Sequence, residues 1–234
     1  MGDSSDSSSD TATKHRDTLP ADQRLRITEV FYSIQGESRP SGFPTVFIRL
    51  TGCPLRCVYC DTEYAFHGGE WRTIDELLGE IEQYSASYVC VTGGEPLAQP
   101  NCGSLLSALC EAGYDVSLET SGALSIDNLD PRVTVVMDIK TPGSQEVTRN
   151  RLENLPLLRE QDQLKFVVCD RADYDWSVAF IAEHNLIERC AVLLSPSQDR
   201  LEARSLAEWI LQDRLPVRFQ VQLHKYIWGD EPGH

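Results

Sequence analysis

Residues 88–119, YVCVTGGEPLAQPNCGSLLSALCEAGYDVSLE, decide the fold. Tyr88-Val-Cys-Val-Thr92 is a short, mostly apolar run that stops at Gly93-Gly94, the pattern of a buried strand. Leu105 to Ala112 repeats its apolar side chains at helical spacing and is closed by Gly113, which readily takes the left-handed turn after a helix. Asp115 to Glu119 is a second strand. Strand, helix and strand in that order form a right-handed crossover, which makes the two strands parallel.

The same alternation continues on both sides. Thr45 to Leu50 (TVFIRL) reads as a strand, and Thr73-Ile-Asp-Glu76 is a capping box that opens a helix with the apolar stripe Ile74, Leu77, Leu78 and Ile81. Further strands are expected at Val133–Met137, Leu164–Val168, Ala191–Leu194 and Val217–Leu223, with helices over Asp173–His184 and about Asp199–Leu211. Six or seven such units fall short of an eight-fold barrel. The expected fold class is therefore α/β, a partial (β/α)6-like open barrel of parallel strands, in preference to a flat doubly wound sheet. Polar and glycine-rich motifs follow the strands: Cys53 to Cys60, Thr92-Gly-Gly-Glu-Pro96, Glu119-Thr-Ser-Gly122, Asp138-Ile-Lys140-Thr-Pro142, Ser195-Pro-Ser-Gln198 and Gln222-Leu-His224-Lys225. In parallel α/β folds the carboxyl ends of the strands carry the site, so these segments should converge on one mouth.

The chain has 234 residues, enough for one domain with a sizeable core. Residues 1–24 are rich in Ser and Asp with almost no large apolar side chains, so a disordered extension is expected there and a globular domain over 25–234. A net charge of −15, from 36 acidic and 21 basic residues, argues against nucleic acid or an anionic membrane as partner. No apolar run approaches the ~20 residues that span a bilayer, and no secretory signal opens the chain, so the expected location is the cytoplasm. Of eight cysteines, Cys90, Cys102, Cys110, Cys169 and Cys190 are scattered and read as small buried apolar residues.

The other three, Cys53-Pro-Leu-Arg-Cys57-Val-Tyr-Cys60, place three thiolates on one loop with no fourth ligand beside them. A structural zinc site wants four protein ligands. An iron–sulfur cube held by three cysteines leaves one iron open for chemistry. Tyr59 adds a ring on which a planar group could stack, Gly93-Gly94 would let backbone approach a ligand, and Glu95 could pair with an ammonium group. A reading from another class is a zinc-stabilised binding module that adds His67 to the three cysteines.

The cysteine spacing, the aromatic before the last cysteine and Thr92-Gly-Gly-Glu-Pro96 resemble the radical S-adenosylmethionine (SAM) enzymes. Phe31-Tyr-Ser-Ile34-Gln35-Gly36-Glu37, Phe47-Ile-Arg49-Leu-Thr-Gly-Cys53, Cys60-Asp61-Thr62 and Gln222-Leu-His224-Lys225-Tyr226 are similar, more narrowly, to the 7-carboxy-7-deazaguanine synthase family. The resemblance covers residues 25–228. It implies a 4Fe-4S cluster on Cys53, Cys57 and Cys60, with the methionine end of SAM on the open iron beside Gly93, Gly94 and Glu95. Tyr59, Cys60 and Asp61 would meet the adenine. Glu119, Ser121, Asp138, Ile139, Lys140, Ser195, Pro196, Ser197 and Gln198 would complete the SAM site.

The implied substrate is 6-carboxy-5,6,7,8-tetrahydropterin, contracted to 7-carboxy-7-deazaguanine with loss of ammonia in queuosine and 7-deazapurine biosynthesis, with SAM regenerated. Arg49 would take the substrate carboxylate through its guanidinium fork. Backbone of Ile34, Gln35 and Gly36, with Glu37, Thr92, His224 and Lys225, would hold the ring, and Thr62 would carry Mg²⁺ through its hydroxyl. The resemblance also implies a flavodoxin or ferredoxin-type electron donor and a homodimer. A rival within the superfamily is an activase that installs a glycyl radical on a protein. Departures from the family pattern are Ser38, where a second glycine is expected, the N-terminal extension, and a chain that runs on through Trp228 to His234, where some relatives close the site with their terminal carboxylate.

Overall fold

A computed structural model of the chain describes residues 24–229, 231 and 233. The disordered extension expected at 1–24 lies outside these residues, except for Arg24, which already begins a strand. In chain order the elements are β1 (Arg24–Ile34), β2 (Pro44–Leu50), β3 (Glu70–Thr73), α1 (Ile74–Ile81), β4 (Tyr88–Gly93), α2 (Cys102–Glu111), β5 (Asp115–Thr120), β6 (Thr134–Ile139), β7 (Gln163–Val168), α3 (Arg171–Glu183), β8 (Ala191–Pro196), α4 (Ala203–Asp213), β9 (Arg218–Phe219) and α5 (Leu223–Trp228). The strands form one sheet in the order β3-β1-β2-β4-β5-β6-β7-β8-β9. From β2 to β9 every neighbouring pair is parallel, the partial open barrel that the sequence predicts.

Four expectations need correction. The sheet is not wholly parallel, because β1 runs antiparallel to both β2 and β3. The register of β1 on β2 shifts between Ile27 and Glu29, and that bulge exchanges the faces of the strand. Leu25 and Ile27 pack under the helices before it, whereas Phe31 stacks on Phe47 at the cavity after it (ring centroids 4.8 Å apart), so β1 shows no continuous alternation in sequence. Second, the β5–β6 and β6–β7 connections contain no α-helix. Two buried side chains hold them instead. Asn154 accepts from the Ile126 N–H and donates to the Gly122 and Leu124 carbonyls, while Asp162 accepts from the Val135 N–H at 2.9 Å and from the Arg159 guanidinium. Third, the final strand expected at Val217–Leu223 is reduced to Arg218–Phe219, and Leu223 opens α5. Fourth, α4 starts at Ala203 rather than near Asp199, because Ser197 to Gln198 belong to the cavity wall.

Elsewhere period and capping did what they promise. The Glu76 N–H donates to Thr73 Oγ1 at 3.2 Å, and the Thr73 N–H donates to Glu76 Oε2 at 2.8 Å, closing the capping box of α1. Alternate residues of the parallel strands face outward: Val46, Ile48, Leu50, Val89, Val91, Val116 and Leu118 meet Leu77, Leu105 and Leu109 of α1 and α2. On the other half, Val135, Met137, Leu164, Phe166, Val168, Val192 and Leu194 meet Tyr174 and Ile181 of α3 and Leu206 and Ile210 of α4. Each such side chain contributes ~1.5–3 kcal/mol of hydrophobic stabilisation. The inward residues between them, Phe47, Arg49, Thr92, Glu119 and Lys165, line a cavity instead. Among the described residues no helix is long and apolar enough to cross a membrane.

Candidate active site

The cysteine loop leaves the end of β2 and is tied back at several points. The Gly52 N–H donates to the Ala65 carbonyl, the Cys60 N–H to the Cys57 carbonyl and the Val58 N–H to the Ser144 carbonyl. Leu55 is buried beneath it, and Arg56 folds over Phe66 and donates to the Cys53 and Leu55 carbonyls at 2.8 and 2.6 Å. Cys53, Cys57 and Cys60 are half-buried, whereas the five scattered cysteines are fully buried, as their apolar surroundings predict. Burial pushes all three loop thiols up, Cys57 to about 11; Lys140 opposes this at Cys53 and Cys57, and a backbone hydrogen bond from Thr62 opposes it at Cys60. Left free they would be neutral thiols at pH 7, poor nucleophiles; bound to metal they would be thiolates.

All three cysteines line a cavity of 640 Å³, together with Tyr59, Asp61, Thr62, Gly93, Gly94, Lys140, Ser197 and Gln198. Gly94 is where the end of β4 meets the loop, since a Cβ there would lie 2.2 Å from the Gly52 carbonyl oxygen. Gly93 has φ +144° and its missing Cβ would lie 2.2 Å from the Leu50 carbonyl oxygen, so the glycine pair seats the cysteine loop as well as opening space. Tyr59 lines this cavity, and its hydroxyl is buried with no hydrogen-bond partner among the described residues. Burial opposes the charge of Lys140, yet Asp138 at 2.9 Å holds its ammonium well above the usual range.

A second cavity, of 350 Å³, opens inside the strands and shares Asp61, Thr62, Gly93, Lys165, Gln222 and Lys225 with the first. Every residue expected to hold a substrate lines it: Ile34, Gln35, Gly36, Glu37, Arg49, Thr92 and His224. Arg49 donates from Nε to Glu29 at 2.6 Å, an ion pair within the chain. Its guanidinium also stands 5.5 Å from the Phe31 ring centre and 5.9 Å from that of Tyr64. Thr92 Oγ1 donates to Glu119 Oε2 at 2.9 Å, and Gln222 Nε2 donates to Glu37 Oε1 at 2.8 Å. Thr62 Oγ1 donates to Asp61 Oδ1 at 2.9 Å, and although burial works against it, Lys225 at 2.8 Å holds the Asp61 carboxyl at about 2. A Cβ on Gly36 would lie 2.1 Å from His224 Nδ1, so glycine is what lets helix α5 reach the cavity.

Several residues stand elsewhere than expected. Glu95 lines neither cavity: it is 0 % exposed, and its carboxylate accepts from Leu97 N–H, from Thr120 Oγ1 and from both the N–H and hydroxyl of Ser121. That also removes Ser121 from the cavity walls. Ile139 packs in the helix-facing core, and Ser195 and Pro196 are buried at the end of β8, leaving Ser197 and Gln198 to face the cofactor cavity. Glu119 faces the substrate cavity rather than the cofactor one. His224 and Lys225 are in the first turn of α5, not at a strand end. Sequence reasoning missed Phe31, Phe47, Tyr64 and Lys165 as wall residues, and Gly229, Glu231 and Gly233 of the C-terminal segment also line this cavity. Ser38, at φ +64°, takes the left-handed conformation that a glycine would favour. Its N–H donates to Gln220 Oε1 at 2.7 Å and its hydroxyl to the Glu37 carbonyl at 2.6 Å, which supports the strained backbone.

The profile of the Radical SAM superfamily matches residues 47–154, the stretch from β2 through the cysteine loop and beyond β6. Fold and site together define a radical SAM enzyme. The chain is 48% identical over 210 residues to the 7-carboxy-7-deazaguanine synthase of Chlorobaculum tepidum, with 88% of this chain and 96% of that protein covered. It is 39% identical over 222 residues to that of Koribacter versatilis, covering 88% and 98%. The crystal structure of QueE from Escherichia coli matches with a TM-score of 0.71 at 25% identity, over 86% of this chain and 95% of that one. The chain belongs to the 7-carboxy-7-deazaguanine synthase family.

Its cofactors are therefore a 4Fe-4S cluster and SAM, and the residues present fit both. Three half-buried thiols line one cavity, the Gly94 backbone approaches the loop where a side chain would block it, and Tyr59, which lines the same cavity, keeps a buried hydroxyl with no hydrogen-bond partner among the described residues. Among the described residues no three His, Cys, Asp or Glu side chains could hold one metal ion together. A single zinc with Zn–S of ~2.3 Å would need its thiolates within about 4 Å of each other, whereas a cube takes each thiolate on a different iron. His67 is exposed and lines neither cavity.

Proposed function

We propose that this enzyme contracts 6-carboxy-5,6,7,8-tetrahydropterin to 7-carboxy-7-deazaguanine. One observation carries the reading: a cavity of 350 Å³, walled by a stacked aromatic pair, a guanidinium and carboxylates, adjoins the cofactor cavity along Asp61, Thr62, Gly93 and Lys165. A radical formed at SAM thus arises beside the substrate. The cluster and SAM supply, when bound, a one-electron cleavage that yields a 5′-deoxyadenosyl radical able to take a hydrogen atom from carbon.

The chain's own residues do the rest. Phe31 and Phe47 give the bicyclic ring an apolar wall. Arg49, oriented by Glu29, offers its fork to the substrate carboxylate. Backbone of Ile34 to Gly36 and the carboxylate of Glu37 read the polar edge of the ring, and Thr92, His224 and Lys225 border it. Thr62, with its hydroxyl proton committed to Asp61, presents oxygen lone pairs to Mg²⁺, whose other ligands would be the substrate carboxylate and waters. On the cofactor side, Tyr59, Asp61, Lys140, Ser197 and Gln198 border the nucleoside, and Gly93 and Gly94 border the methionine end.

A glycyl-radical activase would have to admit a loop of another protein, and this cavity is sized for a small molecule. Family membership supports a cytoplasmic homodimer that draws its electron from a flavodoxin or ferredoxin-type protein. The test is anaerobic turnover of 6-carboxytetrahydropterin with SAM, Mg²⁺ and dithionite. Formation of 7-carboxy-7-deazaguanine without net SAM loss is expected; steady 5′-deoxyadenosine release with no deazaguanine would overturn the reading.

A further inference from the structure

Lys165 sits where the two cavities meet, and nothing in its sequence context marks it. On β7 its neighbours Leu164 and Phe166 are fully buried against the helices, so the period of the strand turns Lys165 inward. Its side chain is 12% exposed. The ammonium pairs with Glu37 Oε2 from the β1–β2 loop and with Asp138 Oδ1, at 3.3 Å, from the neighbouring strand β6. Burial works against this charge, but Asp138, Glu37 and Glu119 together hold it well above the usual lysine range. Asp138 keeps a second cation, Lys140 at 2.9 Å, whereas among the described residues Glu37 pairs with the Lys165 ammonium alone; its other oxygen accepts from the neutral amide of Gln222 at 2.8 Å.

We propose that Lys165 is the specificity-determining positioning residue of the substrate cavity: its ammonium orients the Glu37 carboxylate as an acceptor for hydrogen-bond donors on the substrate ring. The proposal deepens, and rests on, the reading of this cavity as a pterin site. A pterin offers the adjacent donors of its amino group and ring N–H, which match an acceptor-only carboxylate. An isostere with a carbonyl in place of the amino group, as in a lumazine, would set oxygen against oxygen and leave the buried acceptor unpaired. With Lys165 removed, no ammonium holds the Glu37 carboxylate toward the ring donors, so the preference for the pterin should collapse. The remaining charges around the pair, Arg49 on β2, Glu119 on β5, Asp138 and Lys140 on β6, and His224 and Lys225 on α5, stay in place in such a variant.

The test compares equilibrium binding of 6-carboxytetrahydropterin and of its lumazine counterpart, which carries a carbonyl instead of the amino group, to cluster-loaded enzyme by fluorescence. Wild type should prefer the pterin by roughly 100-fold or more, as expected of a site built around a hydrogen bond. Lys165→Met should lower that ratio at least ~10-fold, while Lys165→Arg, which keeps the charge, should retain most of it. Affinity for SAM should change by less than about threefold, because Lys140 still compensates Asp138. A variant that loses pterin and SAM affinity together, at an unchanged pterin-to-lumazine ratio, would show a merely structural lysine and overturn the proposal. Should Lys165→Met not accumulate as folded brown protein, the double variant Lys165→Met with Glu37→Gln buries no lone carboxylate at the pair and should lose the preference likewise, and an unchanged ratio there has the same force. A wild type that converts the pterin yet binds both ring systems equally overturns the Lys165 assignment alone; one that neither binds nor converts it overturns the pterin reading and this proposal together.

Discussion

The two cavities are built in opposite ways. The cofactor cavity is made of loops: its cysteines lie on one eight-residue stretch, and its other walls are the Gly93-Gly94 turn and the segment around Ser197 and Gln198. The substrate cavity is made of side chains from the inner faces of β1, β2, β4, β5 and β7, closed by α5, and its charged groups are already paired with one another. On the proposed reading, the first would hold a cofactor by backbone shape and metal ligation, and the second would hold its ligand by a preset pattern of charge. A single change in the first should therefore remove a function outright, whereas a change in the second should shift affinity and leave the cofactor chemistry running.

The sharpest way to break that contrast is Cys57→Ala. Loss of one of the three thiolates should abolish 5′-deoxyadenosine formation and bleach the visible absorbance of the anaerobic protein, and turnover at the wild-type rate would show that the loop does not carry the cluster. Glu95→Ala should come next. It strips the partner from Thr120, Ser121 and the Leu97 N–H in a wholly buried spot, for a loss of about 3 kcal/mol read from denaturant unfolding. An unfolding curve that does not move would return Glu95 to the list of ligand contacts. Arg49→Ala should weaken pterin binding ~10–100-fold, the worth of a charge-assisted hydrogen bond, and leave slow SAM cleavage uncoupled from product. If SAM cleavage stops as well, the two cavities are not independent in the way their construction implies. The smallest effect is expected of Thr62→Ala, a loss of several-fold in the stimulation by Mg²⁺, since one neutral oxygen is a minor share of an octahedral shell; an unaltered Mg²⁺ titration would remove Thr62 from the metal.

The same contrast explains what was legible in the sequence. The cofactor loop is contiguous, so Cys53 to Cys60 and Gly93-Gly94 could be read directly. The parallel strands announced themselves by period and by the glycine that ends α2. The Gln35-Gly-Glu37 turn and Arg49 were legible only through their likeness to a family. Lys165 was not legible, because one inward lysine in an apolar strand looks like any other alternating residue until its neighbours across the fold, Glu37 and Asp138, are known. Glu95 misled because a carboxylate next to a glycine pair suits a ligand and a strand-end brace equally well, and only its burial separates the two. The antiparallel β1 was hidden by its own bulge, which breaks the alternation midway. Between β5 and β7 the general strand–helix alternation gives way to connections held by Asn154 and Asp162, single residues with no periodic signature.

Because β1 and β9 stand far apart in the strand order, no backbone ladder joins the two halves of the wall there. The gap is mended by stitches between the 35–38 turn and the 220–224 segment: Ser38 N–H to Gln220, Gln222 to Glu37, and Leu223 N–H to the Gly36 carbonyl. Each stitch is worth only about 1 kcal/mol. The vessel thus has a laced side as well as a rigid one. Mutations can retailor the lacing, and with it the ring that fits inside, while the woven wall and the cysteine loop seated on it stay intact.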